Sequence, residues 1–516
     1  MPSRPRQVHQ WAALSVLCAA ALIINLDNTI LNVALPTLVR ELHATSSELQ
    51  WIVDAYAMVF AGLMLAFGSM ADRLGRQRFF LIGLTVFGAG SIGAAFSGSV
   101  GFLIAFRAVM GAGAALTIPS SLSIVNNVFR DPRERARAIG VWGGTIGLGI
   151  AIGPIAGGLL LTRFWWGSIF LVNVPIAVAA FLGTIWLVPN SKNPAADRPD
   201  PVGAVLSTLG LGMLLWAIIE APTIGWTAVS VLAVGGASFV VLGSFVAWEA
   251  RCDHPMLKLS FFKERRFSIA AAAEALAAFT LLGALFLQTQ FLQFDLGNSP
   301  LAAGVRILPI AGTLALFATL SPAFTRLIGV KLTVGLGLSV IAGGMWQVAA
   351  TPGVSTTYGD VLPGLLMIGI GTGLLIPTAT NSVVGSVPRG DSGMGSATNS
   401  LALQVGGALG VAVMGSVMST RYRDYMSTVL AGRHVPAAAS HAILGSLGGA
   451  LAVAERAGGL TGVLLAFAAR VGFTNGTRVS FIVATAVAFF GVAVVLAWLP
   501  LRAKRPAPGP EADESL

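Results

Sequence analysis

Fourteen apolar runs, near 11–35, 50–70, 79–97, 101–125, 137–161, 168–188, 202–220, 228–249, 267–292, 300–324, 331–350, 360–385, 395–419 and 478–500, dominate this sequence. Each is about the roughly 20 residues that an α-helix needs to cross a bilayer, and inside lipid only a helix or a closed barrel satisfies its own backbone. Composition agrees: hydrophobic residues make up 55% of the 516, charged residues 10%, and mean hydropathy is +0.80. A soluble chain of this length needs more charge to dissolve its surface. The chain therefore reads as an all-α integral membrane protein. The first run is about 25 residues, too long for a signal-peptide core, and reads as a first spanning helix. The stretch 440–470 is also largely apolar, but Glu455 and Arg456 divide it into pieces too short to span. It is expected to form an amphipathic or re-entrant feature within a long outer loop.

The net charge of +10 does not point to nucleic acid, because the basic residues lie between the apolar runs. Segments such as "DRLGRQR", "FRDPRERAR", "EARCDHPMLKLSFFKERR" and "LRAKR" belong to one set of alternate loops, which holds 22 of the 32 Lys and Arg residues. By the bias of basic residues to the inner face, both termini are expected in the cytoplasm. Cys18 and Cys252 are far apart, and the five histidines have no metal-ligand spacing, so neither a disulfide framework nor a metal site is supported.

An internal repeat organises the helices. "DRLGRQRFFLIGL" is echoed by "TRLIGVKLTVGLGL", and "LTIPSSLSIVNNVFRDPRERARAIG" by "LLIPTATNSVVGSVPRGDSGMGSA". Arg73 to Arg326 is an offset of 253 and Pro119 to Pro377 one of 258, so one half repeats in the other with about 70 residues inserted between. The expected organisation is a six-helix bundle over 1–190, a linker with two inserted helices over 191–266, and a second six-helix bundle over 267–500. That bundle carries the outer loop 420–477, and a cytoplasmic tail covers 501–516. Two parallel six-helix halves with a site at their midplane interface form a transporter arrangement.

Ionisable groups inside spans are costly, at about 2.5–3.5 kcal/mol on insertion scales, and so default to function. Asp27 in "NLDNTILNVALP", Asp54 in "WIVDAY" and Arg107 in "FLIAFRAVMGAG" fall at similar depths in the outer half of the first bundle. Glu274 in "AAAEALAAF" is the clearest buried acid of the second. Each has a plainer reading as a permanently bonded group that fixes helix packing. Glu220, Asp295 and Arg306 lie near helix ends, where snorkelling explains them.

These residues carry a resemblance. The chain resembles the major facilitator superfamily, in its fourteen-helix drug:proton antiporter branch of multidrug and quaternary-ammonium exporters. "LDNTILNVALP" is similar to that branch's first-helix signature, whose acid maps to Asp27, and "RAVMGAGAA" to the fourth-helix motif with Arg107. "GSMADRLGRQR" resembles the loop motif between helices two and three, mapping Gly68, Asp72, Arg73, Gly75 and Arg76. "GLGIAIGPIAGG" resembles the antiporter motif of helix five, mapping Gly153, Pro154, Gly157 and Gly158. The two inserted helices, "EAPTIGW" and "NVPI" extend the likeness over the whole chain. Gln77, Gly167 and Leu403 stand where the branch commonly has basic residues. Physically, the helix-five glycines let a neighbouring backbone approach and Pro154 removes one ladder hydrogen bond. The loop charges are suited to latching one conformation.

The resemblance implies proton-coupled export of amphipathic, cationic small molecules from a bacterial cytoplasmic membrane by a monomer. The proton gradient is the driving force and no cofactor takes part. Asp27 and Asp54 would carry proton or cargo, with Arg107 and Glu274 in the same polar system. Tyr56, Trp142 and Phe170 are the candidate cavity aromatics. Partners are the cargo, protons and lipid. The alternatives are a dedicated exporter of one metabolite or self-made antibiotic, and an importer, which the helix-five motif disfavours. A channel would need a continuous polar pore. A membrane enzyme would need convergent catalytic groups and a polar loop domain, neither of which occurs.

Overall fold

The computed structural model describes residues 5–129, 131–192, 199–351, 356–387 and 392–500. Among them the chain is helical, with no strands. The helices are α1 (Pro5–Leu42), α2 (Ser46–Leu74), α3 (Arg76–Ala95), α4 (Val100–Val128), α5 (Pro132–Arg163) and α6 (Ser168–Leu187, with a turn at Val172). The inserted pair is α7 (Pro201–Ile224) and α8 (Val229–Glu249). Helix α9 (Arg265–Asp295) ends in a π-helical turn, Phe291–Asp295. Pro300–Ala350 is one helical run broken at Gly329, where φ is 83°. It therefore supplies two spans, α10 (300–328) and α11 (330–350). Helices α12 (Tyr358–Val384) and α13 (Ser392–Leu430), the short α14 (Ala437–Gly445) and α15 (Leu447–Ala457), and α16 (Gly459–Trp498) complete the chain. Thirteen described helices are long and apolar enough to cross a membrane; with the break at Gly329 they make the fourteen spans expected from the sequence.

Helix starts follow local chemistry. Thr45 and Glu48 form a reciprocal capping box before α2. Asp131, Asp200 and Ser299 each cap a helix whose first residue is proline, a position where the missing N–H costs nothing. Gly75 turns the chain between α2 and α3 with φ 136°, and Gly329 makes the equivalent turn in the second half. Only glycine adopts these angles without strain, so the faint likeness of "DRLGRQR" to "TRLIGVK" marks the same backbone corner twice. The stretch 420–477, expected as a long outer loop, is mostly helical: α13 runs on to Leu430 and α16 begins at Gly459. Glu455 and Arg456, which divide the apolar stretch, fall at the end of α15, and α16 begins just after them and runs through Arg470 and Arg478 without a break. The expected tail 501–516, Arg4 and Arg389 lie outside the described residues.

The first half, α1–α6, and the second, α9–α16, meet along two seams. On one, Gly158 and Gly304 let α5 and α10 touch backbone to backbone: a Cβ at Gly158 would lie 2.5 Å from Leu301 Cα. On the other, Ser416 of α13 donates to Gln50 of α2 at 3.1 Å. The inserted α7 packs along this second seam, its Ile218 carbonyl accepting from Ser416 and its Glu220 from the Trp51 indole at 3.0 Å. Gln293 in the π turn reaches across to the Val33 carbonyl at 2.8 Å. All these contacts sit at the end where α1 finishes and α2 starts. At the opposite end of α5, Gly140, Gly143, Gly144 and Gly147 face open space. The halves are thus closed at one end and parted at the end bearing the 72–78 loop.

This packing makes a direct prediction. Cysteines placed at Gln50 and Ser416 should cross-link with a short thiol reagent in high yield. Adding Gly304→Leu, whose side chain would collide with the Pro154 carbonyl, should lower that yield several-fold.

Candidate functional site

Asp27 is 1% exposed and Arg107 fully buried, on α1 and α4 respectively. Arg107 Nη1 donates to Asp27 Oδ2, Arg107 Nε donates to the Ile52 carbonyl at 3.0 Å, and the guanidinium lies over the Tyr56 ring, 4.4 Å from its centroid. Tyr56 can lie this close to α4 because Gly111 has no side chain to displace its backbone. The other carboxylate oxygen, Oδ1, accepts from Asn173 Nδ2 at 2.9 Å, and Asn173 also contacts Ser91 Oγ at 3.4 Å. Four helices besides α1 therefore converge on one acid. Of the three charged residues expected at one depth, Asp27 and Arg107 are in direct contact and Asp54 is not bonded to either.

The helix-five motif packs on α1 beside this site, against residues that flank Asp27 in the chain. Helical spacing puts Gly149, Gly153 and Gly157 on one face of α5. There a Cβ would meet Asn25, Thr29 and Ile30 of α1, the residues on either side of Asp27. Thr29 Oγ1 lies 3.1 Å from the Gly149 carbonyl and donates to it. The neighbouring face carries Pro154 and Gly158, which meet Gly304 and Leu301 of α10. Helix α5 is thus wedged between the acid-bearing helix and the opposite half. Beside it lies an apolar pocket with an empty volume of ≈ 420 Å³, open space at its mouth included. Thr29 and Asn32 give it a polar corner; Pro154, Leu281, Leu285 and Ile310 are among its aliphatic walls.

The remaining sequence candidates are distributed differently. Asp54 is fully buried and neither carboxylate oxygen has a hydrogen-bond partner. It shares a face of α2 with Gln50, which meets Ser416, and with Ala57 and Ala61, which cluster with Ala408 and Ala412 of α13. Asp54 therefore belongs to the seam between the halves. Glu274 is fully buried in the second half, where Thr380 Oγ1 donates to it and the Asn399 carboxamide, its NH2 turned toward the carboxylate, donates as well. Trp142 and Phe170 face protein: the Trp142 indole donates to Ser121 at 3.1 Å within a packed cluster, and Phe170 lies edge-on to Trp166. In the loop motif, Asp72 accepts from Arg76 Nε at 2.6 Å and Gly68 packs on Pro119. Gln77, which departs from the basic residue common there, donates to the Thr184 and Val188 carbonyls at 3.2 and 2.8 Å and ties α3 to the end of α6.

Ser91, Thr380 and Asn399 are not singled out by the sequence, and Asn173 enters there only as the first residue of "NVPI", with no role of its own. The signal for Asn173 was present as a carboxamide inside "IFLVNVPIAV", but a lone buried amide carries no charge to draw notice.

Removing one partner of a buried ion pair leaves the other charge uncompensated and costs about 3–5 kcal/mol, whereas replacing both by apolar groups is far milder. Arg107→Met should therefore lower the thermal unfolding midpoint in detergent sharply. The double variant Asp27→Leu with Arg107→Met should recover most of that loss.

Residues 17–411 match the Major Facilitator Superfamily family model. Over 94% of its length the chain is 35% identical to the multidrug efflux pump LfrA of Mycolicibacterium smegmatis, covering 95% of that protein. It is 34% identical to the multidrug resistance protein Stp of Mycobacterium tuberculosis over 77% of this chain and 74% of that one. Among solved structures it resembles a bacterial homologue of the human lysosomal transporter Spinster in an inward-facing, occupied conformation. The TM-score is 0.64 with 16% identity, covering 96% of this chain and 97% of the other. Fourteen apolar spans, two joined halves and these likenesses together place the protein: it is a multi-pass transporter of the bacterial cytoplasmic membrane and belongs to the major facilitator superfamily, in its branch of drug efflux and resistance transporters.

Proposed function

We propose that the chain exports amphipathic, cationic small molecules in exchange for protons by alternating access. The observation that carries this reading is the buried Asp27–Arg107 pair, whose helix α1 packs through Asn25, Thr29 and Ile30 on the glycine face of α5, while the adjacent face of α5 holds the opposite half. With both termini in the cytoplasm, the open end faces inward and the sealed end outward. Cargo enters from the cytoplasm to the pocket beside Thr29, Asn32 and Pro154, where apolar walls bind varied molecules without directional demands. Two further buried acids, Asp54 and Glu274, have no ion-pair partner among the described salt bridges and favour a cationic cargo. Asp27 itself is already neutralised by Arg107, so proton and cargo are coupled through helix position rather than by sharing one oxygen. A proton on Asp27 discharges the pair, loosens α1 from α4, and lets the α1–α5 unit shift against α10. No cofactor takes part: one charge crossing 100 mV supplies about 2.3 kcal/mol.

The relatives' names, a multidrug efflux pump and a multidrug resistance protein, support export over import. The motif residues Asp72, Arg73, Gly75 and Arg76 sit at the parted end, where their charges would latch the alternate state.

In everted vesicles with an imposed pH gradient, wild type should accumulate a cationic fluorescent dye, and Asp27→Asn should reduce that accumulation to the level of empty vesicles. Accumulation that persists after the gradient is collapsed would remove antiport from the account. Activity toward a single compound in a broad panel would favour the dedicated exporter. Gly153→Leu, colliding with Thr29, should abolish dye accumulation while the protein still reaches the membrane, as measured by immunoblot.

A further inference from the structure

We propose that Asn173 is the positioning residue that reads the protonation state of Asp27, donating to its carboxylate and accepting from its acid form by rotation of the carboxamide. The inference rests on Asp27 as the exchanging group and goes beyond it to a residue with no assigned role. Asn173 opens the second segment of α6, directly after the turn at Val172, and is fully buried. Its Nδ2 donates to Asp27 Oδ1 at 2.9 Å, while its own Oδ1 has no hydrogen-bond partner. A buried amide oxygen without a donor asks for an explanation, since such groups are rare and costly in native structures.

Charge supplies one. Arg107 occupies Asp27 Oδ2, so a proton arriving at the carboxylate is repelled from that oxygen and settles on Oδ1, the one that faces Asn173. An ionised carboxylate only accepts, but a protonated one also donates. A fixed donor would then meet the new O–H head-on. A carboxamide carries one acceptor and one two-hydrogen donor on opposite arms, and a half-turn exchanges them. The unpartnered Oδ1 of Asn173 is the acceptor held in reserve for the protonated state. Ser91 Oγ, 3.4 Å from Nδ2, can donate or accept and so tolerates either orientation. The titratable groups facing Asp27 are Arg107 from α4 and Tyr56 from α2. Helices α3 and α6 bring the neutral Ser91 and Asn173, while the glycines of α5 meet Asn25, Thr29 and Ile30 of α1 instead.

The test is an infrared pH titration of the reconstituted protein, following the protonated-carboxyl band that disappears in Asp27→Asn. Asn173→Leu removes the donor at nearly constant volume. The carboxylate then loses one hydrogen bond, and the band's midpoint and the pH profile of dye transport should both move to higher pH by about one unit. Asn173→Asp, which keeps the shape but sets a second carboxylate against the first, should move them further in the same direction. A merely structural Asn173 would lower transport without moving either midpoint. An unmoved midpoint in a folded variant, judged by gel filtration and thermal unfolding, overturns the proposal. If Asn173→Leu does not fold, Asn173→Ala, which also removes the donor and adds no charge, decides in its place. A carboxyl band and gradient-driven transport that both survive Asp27→Asn would instead show that the exchanging acid lies elsewhere, a failure of the export reading and not of Asn173.

Discussion

A carboxylate and a guanidinium withdrawn from water together lose hydration that their mutual attraction repays only if geometry is good and the remaining donors and acceptors are met. Asp27 and Arg107 go most of the way by drawing in a carbonyl and an aromatic face from α2 and a carboxamide from α6, with Arg107 Nη2 left without a hydrogen-bond partner. The pair therefore fixes how α1, α2, α3, α4 and α6 sit about one point. It is also the interaction in the first half that a single proton would undo most thoroughly, because protonation removes the charge on which the Arg107 contact depends.

In the proposed exchange, what would turn a local charge event into a change of shape is the absence of side chains on α5. Gly149, Gly153 and Gly157 accept the backbone of α1 around Thr29, and Gly158 with Pro154 accepts α10. Backbones that touch this closely leave no soft layer between them, so a displacement of α1 is passed on to the opposite half rather than absorbed by rotamers. The same contacts close one end of the molecule, while the glycines farther along α5 face open space and leave the other end parted.

The two halves handle their acids differently. In the first, Asp27 is balanced by a cation; in the second, Glu274 is held by neutral donors on α12 and α13. Asp54 stands between them, buried on the seam with no donor at all. The result is a gradient of compensation from one bundle to the other, with the least compensated carboxylate at the interface that must part and close.

The span count, the repeat and the placement of Asp27 and Arg107 at one depth were legible in the chain, because lipid sets helix length and excludes charge regardless of what packs nearby. The corner glycines were legible too, since backbone angle restricts residue type locally. Contact was not. That Asp54 turns toward α13 instead of Asp27, that Trp142 and Phe170 bury in protein, and that Asn173 completes the acid's shell all depend on helix rotation. That rotation is decided by which neighbour each helix meets. The helical run from Gly459 was hidden for a related reason: Glu455 and Arg456 divide the apolar stretch 440–470, but a charge pair marks the end of one helix without preventing the next from starting. Lipid and backbone sterics act on each residue in turn and so write themselves into the sequence, whereas packing acts between residues 80 or 146 positions apart and exists only once the chain has folded.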